Sequence, residues 1–167
     1  MKSEEQIFRS SGGVELTLNM LAHHAAAREG RQRVRAFAEA EGLHATEMDR
    51  LDFVVGELLS NAVDHGGGKR AMDVSELALG AQGICMHLEF RFTKVGWFLR
   101  VEDEGGGDPE CLRPFLQDTG ELPDLEDERG RGFFLLLGMV SSLKVESSRT
   151  GEGIALIAEV LFETPPG

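Results

Sequence analysis

The chain has 167 residues, 41% of them hydrophobic and 28% charged, which suits a single folded domain over 1–167 and excludes disorder as the ground state. A formal net charge of −12 sets the average field against nucleic acid and anionic membrane surfaces, so neither is an expected partner. The two cysteines, Cys85 and Cys111, make no disulfide framework and have no metal-ligand spacing, and no apolar run is long enough to span a membrane, so the expected location is cytoplasmic.

Residues 1–13 lack an apolar signal core and are assigned no element. From Val14 to Met20 (VELTLNM) apolar and polar residues alternate, the period of a half-buried strand. Residues 22–41 turn to alanine, arginine and glutamate, with Val34, Phe37 and Ala38 as an apolar stripe and Gly42 as a stop, which predicts a first helix. This helix also holds the densest basic patch, Arg28, Arg31, Arg33 and Arg35. Thr46 followed by Asp49 marks a second helix start, and Leu51, Val55, Leu58 and Ala62 recur at helical spacing until Gly66, Gly67 and Gly68. Residues 84–93 and 97–102 read as two strands of a hairpin, Gly105–Gly107 break the chain, and Pro109 opens a short helix. Residues 119–129 are acidic and aperiodic, and so long a loop suggests a lid. Gly130-Arg131-Gly132 then stands before an apolar helix over 133–140, and 143–148 and 154–162 close the chain as strands. This order predicts an α+β fold: a two-layer sandwich with helices on one face of a mostly antiparallel mixed sheet. The stretch 69–82 carries no readable role, and its GGGKR lacks the strand and spacing of a phosphate loop.

Three constellations carry chemistry. Glu57 and Asn61 lie one helical turn apart at the edge of the apolar stripe, and His65 extends them by another turn. Alone, such a pair is more often the solvated side of an amphipathic helix. The spacing nevertheless permits an Asn oxygen to hold Mg²⁺ while a carboxylate orients or deprotonates a hydroxyl attacking a phosphate. In VEDEGGGDP a strand delivers Asp103 to a triple-glycine turn, where a fixed carboxylate can accept from an exocyclic amine; a tight acidic turn is the plain alternative. In ERGRGFFLLLG, glycines before an apolar helix offer free N–H groups to an anion, with Arg129 and Arg131 adding charge.

Taken in order, ELLSNAVDH, DEGGG and GRGFFLLLG resemble the three nucleotide-binding motifs of the GHKL ATPase superfamily, over about residues 16–161. Within it, the SNAVDH and ELPDLEDERGRGFFLL segments are most similar to the bacterial anti-sigma-factor serine-protein kinases. The resemblance implies the Bergerat ATP-binding fold, with ATP or ADP and Mg²⁺ as ligands. It assigns Mg²⁺ to Asn61, the catalytic base to Glu57 and the adenine amino group to Asp103, with His65 in the same motif. Gly105 and Gly107 would shape the adenine pocket, 118–129 would be the lid, Gly130 and Gly132 would contact phosphate, and Arg129 or Arg131 would reach the terminal phosphate. It further implies a sigma factor and a small antagonist protein as partners, the antagonist being phosphorylated on serine, and a homodimer. Two alternatives stand beside this: a nucleotide-binding module that sequesters a partner without kinase activity, and an ATPase domain serving a phosphorelay. The latter needs a phospho-accepting histidine helix, for which the adjacent His23 and His24 are the nearest residues. The chain departs from the family pattern in having no tyrosine near the pocket rim and in Gly151-Glu152-Gly153, where threonines usually follow the glycine of the last motif.

Overall fold

The computed structural model describes residues 4–66, 83–116 and 128–163. In chain order they form β1 (Glu4–Ser10), β2 (Gly13–Leu21), α1 (His24–Ala40), α2 (Ala45–Asn61) with a π-helical turn at Ala62–Gly66, β3 (Cys85–Phe92), β4 (Gly96–Asp103), two 3₁₀ turns at Pro109–Cys111 and Arg113–Leu116, α3 (Glu128–Met139), β5 (Ser142–Ser147) and β6 (Ile154–Leu161). The six strands form one sheet in the order β1-β2-β3-β4-β6-β5, and every neighbouring pair is antiparallel.

Period-two alternation sorts the side chains onto two faces. Leu16, Leu18 and Met20 of β2 lie opposite Phe90, Leu88 and Met86 of β3, which lie opposite Leu99, Val101 and Asp103 of β4. This face is apolar and carries the helices. Phe37 of α1 meets Phe90 edge-on, with ring centroids 6.1 Å apart. From α2, Leu51, Val54, Val55, Leu58 and Leu59 enter the same core, and α3 adds Phe133 and Leu136. Burying each such side chain contributes about 1.5–3 kcal/mol against its exposed state. Asp103 is the one carboxylate at the end of these apolar rows, and it is buried.

The opposite face carries no helix among the described residues and is charged. Burial raises the pKa of Glu89, but the guanidinium groups of Arg149 and Arg91 outweigh it and hold the carboxyl below its usual range. Arg100 bridges Glu102 at 2.9 Å and Glu146 at 3.2 Å. The long arginine side chains thus cover carboxylates on a face with no apolar layer.

The α+β sandwich expected from the sequence is present, with three differences. β1, assigned no element from sequence, is a strand whose seven residues are all exposed; it forms by pairing with β2 across the Ser10–Gly13 turn. The second helix starts at Ala45, so Thr46 lies in its first turn, and regular α geometry ends at Asn61. The last helix starts at Glu128, so Gly130, Arg131 and Gly132 lie inside its first turns and not ahead of it. Residues 118–127 of the expected lid, and the stretch 69–82, lie outside the described residues.

Candidate functional site

Glu57 and Asn61 project from the last turn of α2, where the helix passes into the π turn that holds Asp64 and His65. Such turns recur at functional sites because the wider coil re-aims the side chains beside it. Ala62 and Val63 anchor the turn in the core, and Asp64 reaches His24 Nε2 at 3.0 Å.

Glu57 is half-buried, and desolvation raises its pKa above the usual glutamate value while the nearby Arg31 charge pulls the other way. Arg31 is itself fixed by Asp52, to which its Nε and NH2 groups donate at 2.9 and 2.6 Å. Beside Glu57 lies a groove of about 400 Å³, lined by Arg28, Arg31, Phe53, Gly56 and Ser60 among others. On its other side Glu57 meets α3: a Cβ built on Gly132 would stand 2.8 Å from Glu57 Oε2. A side chain at 132 would therefore displace the end of Glu57.

Asp103 ends β4. Its Oδ1 accepts the Gly105 N–H at 2.8 Å, and the Ile154 N–H also bonds to the carboxylate. Burial outweighs these bonds and, with Glu102 and Glu104 nearby, pushes the pKa from 3.8 up to about 6. The turn that follows depends on Gly106, at φ +77°, whose N–H donates to the carbonyl of Glu152. Gly105 thus holds the carboxylate, Gly106 makes the bend, and Gly107 continues the irregular stretch that follows, half-buried. Gly153 packs directly on Asp103: a Cβ there would lie 2.1 Å from the Asp103 carbonyl oxygen and 2.8 Å from its Oδ1. The Gly151-Glu152-Gly153 segment therefore backs the Asp103 carboxylate.

Asn61 and Asp103 meet across a cavity of about 10 Å³, room for one water, with Leu58, Ala62, Val101 and Leu156 as its walls. Among the described residues the Asn61 amide has no hydrogen-bond partner, and its oxygen is a hard, neutral ligand of the type Mg²⁺ accepts. No group of three or more His, Cys, Asp or Glu side chains gathers as a metal site among the described residues, so a divalent ion at Asn61 would complete its shell from phosphate and water.

The structure thus brings together Glu57 and Gly132 on one side, and Asn61, Asp103 and Gly105 on the other, with α2 as the shared support. Arg129 and Gly130 lie in the first turn of α3, and Arg131 is exposed on the following one. That turn still presents N–H groups with no partner inside the helix, as the start of any helix does. His65 is placed in the π turn by its backbone. Sequence reasoning named Gly153 and Arg31 without giving either a role at the site, and it read Gly106 as part of the triple-glycine turn. The glycine after Glu152, ahead of an apolar strand, was the only signal for the first. His23, weighed with His24 as a phosphoacceptor, instead caps α1 through Nδ1, which accepts the Ala26 N–H at 3.0 Å. Among the described residues no helix is long and apolar enough to cross a membrane.

A family model for a histidine kinase-like ATPase domain matches residues 20–158, from the end of β2 into β6. Compared with curated proteins, the chain has no match.

Proposed function

The chain belongs to the histidine kinase-like ATPase domain family, and from that membership we propose that it is an anti-sigma-factor-type serine-protein kinase, using ATP and Mg²⁺ to phosphorylate a small antagonist protein and so to regulate a sigma factor by partner switching. The observation that carries the kinase reading is the position of Glu57. It lies one turn before Asn61 and lines an open groove of about 400 Å³. A carboxylate placed there can take the proton of a hydroxyl that arrives by that groove.

In this reading adenine meets Asp103, whose second carboxylate oxygen accepts the exocyclic amine while Oδ1 stays on Gly105. Adenine far exceeds the 10 Å³ between Asn61 and Asp103, so binding widens that cleft. Mg²⁺, held by Asn61, neutralises charge on the phosphate oxygens when bound. The antagonist serine enters by the groove. Its hydroxyl oxygen attacks the γ-phosphorus, its proton passes to Glu57, and the bond to the β,γ-bridging oxygen breaks to release ADP. A raised pKa suits a base that must hold that proton, while the nearby Arg31 charge partly opposes the rise.

The test uses γ-labelled ATP, Mg²⁺ and a small serine-bearing antagonist protein from the same organism. Phosphoserine forms with the native chain, and Glu57→Gln lowers the rate by at least about 100-fold, the usual contribution of a general base, with nucleotide binding retained. Transfer that survives the substitution removes Glu57 from the chemistry. Tight nucleotide binding with no transfer by the native chain identifies a partner-sequestering module instead. Label on a histidine identifies a phosphorelay domain.

A further inference from the structure

Glu57 has a cationic neighbour able to disable it. Arg31 of α1 lines the same groove, and the carboxylates whose charge acts on it are Asp52 and Glu57. A general base drawn into a direct ion pair with arginine is a poor proton acceptor, because the pair stabilises the charged carboxylate and occupies its lone pairs. Where the Arg31 side chain is held therefore decides whether Glu57 is available.

Asp52 of α2 holds it elsewhere. Its Oδ1 accepts from Arg31 Nε at 2.9 Å and its Oδ2 from the NH2 group at 2.6 Å, a bidentate clasp that fixes the plane of the guanidinium. Asp52 also stands 3.6 Å from Arg35 NH1, so one carboxylate offsets the repulsion between two arginines a turn apart on α1. The bonds from Arg31 hold the Asp52 carboxyl below its usual range, whereas burial raises that of Glu57, so Asp52 is already charged where Glu57 titrates.

The backbone of α2 completes the seat. Asp52 and Gly56 are a turn apart on one row of the helix, and Phe53 and Glu57 occupy the neighbouring row. The guanidinium lies over the bare Cα of Gly56: a Cβ there would stand 3.2 Å from NH1, 3.4 Å from Cζ and 3.5 Å from Nε. Glycine, otherwise an unfavourable residue inside a helix, leaves this seat open. Arg31 thus rests on the row beside Glu57, and its ion pair is with Asp52. Arg28 and His24, the other ionisable groups of the groove, also come from α1, with His24 paired to Asp64 at 3.0 Å, and α3 presents the uncharged Gly132.

Taking Glu57 as the base of the kinase reading, we propose that Asp52 is a positioning residue: by clasping Arg31 over Gly56 it keeps the guanidinium off Glu57 and leaves that carboxylate free to accept a proton. Without Asp52, Arg35 repels Arg31, and Glu57 is the remaining carboxylate that acts on it. The guanidinium then swings onto the base.

Carboxyl-carbon NMR titration of the full chain tests this with no substrate present, the Glu57 signal being assigned by its loss in Glu57→Gln. Asp52→Asn lowers the Glu57 midpoint by about one pH unit, as an opposite charge brought into contact does. Arg31→Gln raises it, and the double variant matches Arg31→Gln, since Asp52 acts through Arg31. Asp52→Glu, which keeps the charge and both acceptors, restores most of the native midpoint. A merely structural Asp52 would behave differently: loosened packing between α1 and α2 admits water to Glu57 and moves both single variants the same way. In transfer from γ-labelled ATP to the antagonist protein, Asp52→Asn lowers kcat by about tenfold with KM nearly unchanged. Transfer by the native chain, with a Glu57 midpoint unchanged or raised in Asp52→Asn, overturns the proposal and leaves the kinase reading standing. No transfer by the native chain overturns that reading, and the titrations alone then decide whether Asp52 holds Arg31 off Glu57.

Discussion

A carboxylate at 103 has two acceptor oxygens, and the fold occupies Oδ1 with the Gly105 N–H. The Ile154 N–H takes a second site on the carboxylate, and its remaining lone pairs are left for a donor. Asn at the same place keeps one acceptor and gains an NH₂ that would point at the adenine amine, donor against donor. Asp103→Asn is expected to weaken nucleotide binding by about 1.5–3 kcal/mol, the loss of a bond to a charged group. Its effect on stability runs the other way. With the carboxyl raised from 3.8 to about 6, the folded chain holds a proton between those pH values that the unfolded chain has released. Stability due to this group therefore falls as pH rises through that window. At pH 8 the buried carboxylate costs about 2–3 kcal/mol, so Asp103→Asn melts several degrees higher than the native chain, and the gain shrinks away near pH 4. Melts at both pH values, beside nucleotide titrations, check both halves. Glu57, Asn61 and Asp103 were legible as candidates because their motifs occur in order along the chain. Gly153 was not, because its role is to lie against the backbone of Asp103, a contact made only when β4 and β6 pair.

At the scale of elements, two glycines show where packing outranks local propensity. Gly132 lies inside α3, where glycine costs about 1 kcal/mol against alanine. Its Cβ position falls 2.8 Å from the tip of Glu57, a flexible side chain. Gly132→Ala is thus expected to preserve or raise the melting temperature and keep nucleotide binding, while the displaced Glu57 loses transfer by about tenfold or more, as small misplacements of a reacting group do. At Gly153 the obstacle is the backbone carbonyl of Asp103 at 2.1 Å, which has no room to yield, so Gly153→Ala is expected to cost several kcal/mol and show a lowered melt. The same logic explains what sequence periodicity missed. Glycines at 130 and 132 read as a loop, but Phe133 stacked on Phe115 and buried Leu136 hold the helix from Glu128 onward. β1 buries nothing and so shows no pattern of burial; its order comes from β2 and from the Arg33–Glu5 and Arg9–Glu41 pairs. The β3–β4 hairpin and α2 were readable because each buries a full face.

Over the whole molecule, the sheet divides the labour. Its helix face gathers the apolar rows and ends in Asp103, while its open face ties Glu89 and Glu102 to Arg91, Arg100 and Arg149. A net charge of −12 would repel a nucleotide at a distance, so any affinity must come from local donors and a cation. That makes the cation the sharpest probe of the account. Isothermal titration of ADP into the native chain with Mg²⁺, then with the metal chelated, and then into Asn61→Ala, is the direct measurement. Binding in Mg²⁺ that weakens on chelation, with the metal dependence gone in Asn61→Ala, is the predicted result. No heat with the native chain at millimolar ADP, or a metal dependence unchanged in Asn61→Ala, would contradict a nucleotide site built on α2 and Asp103.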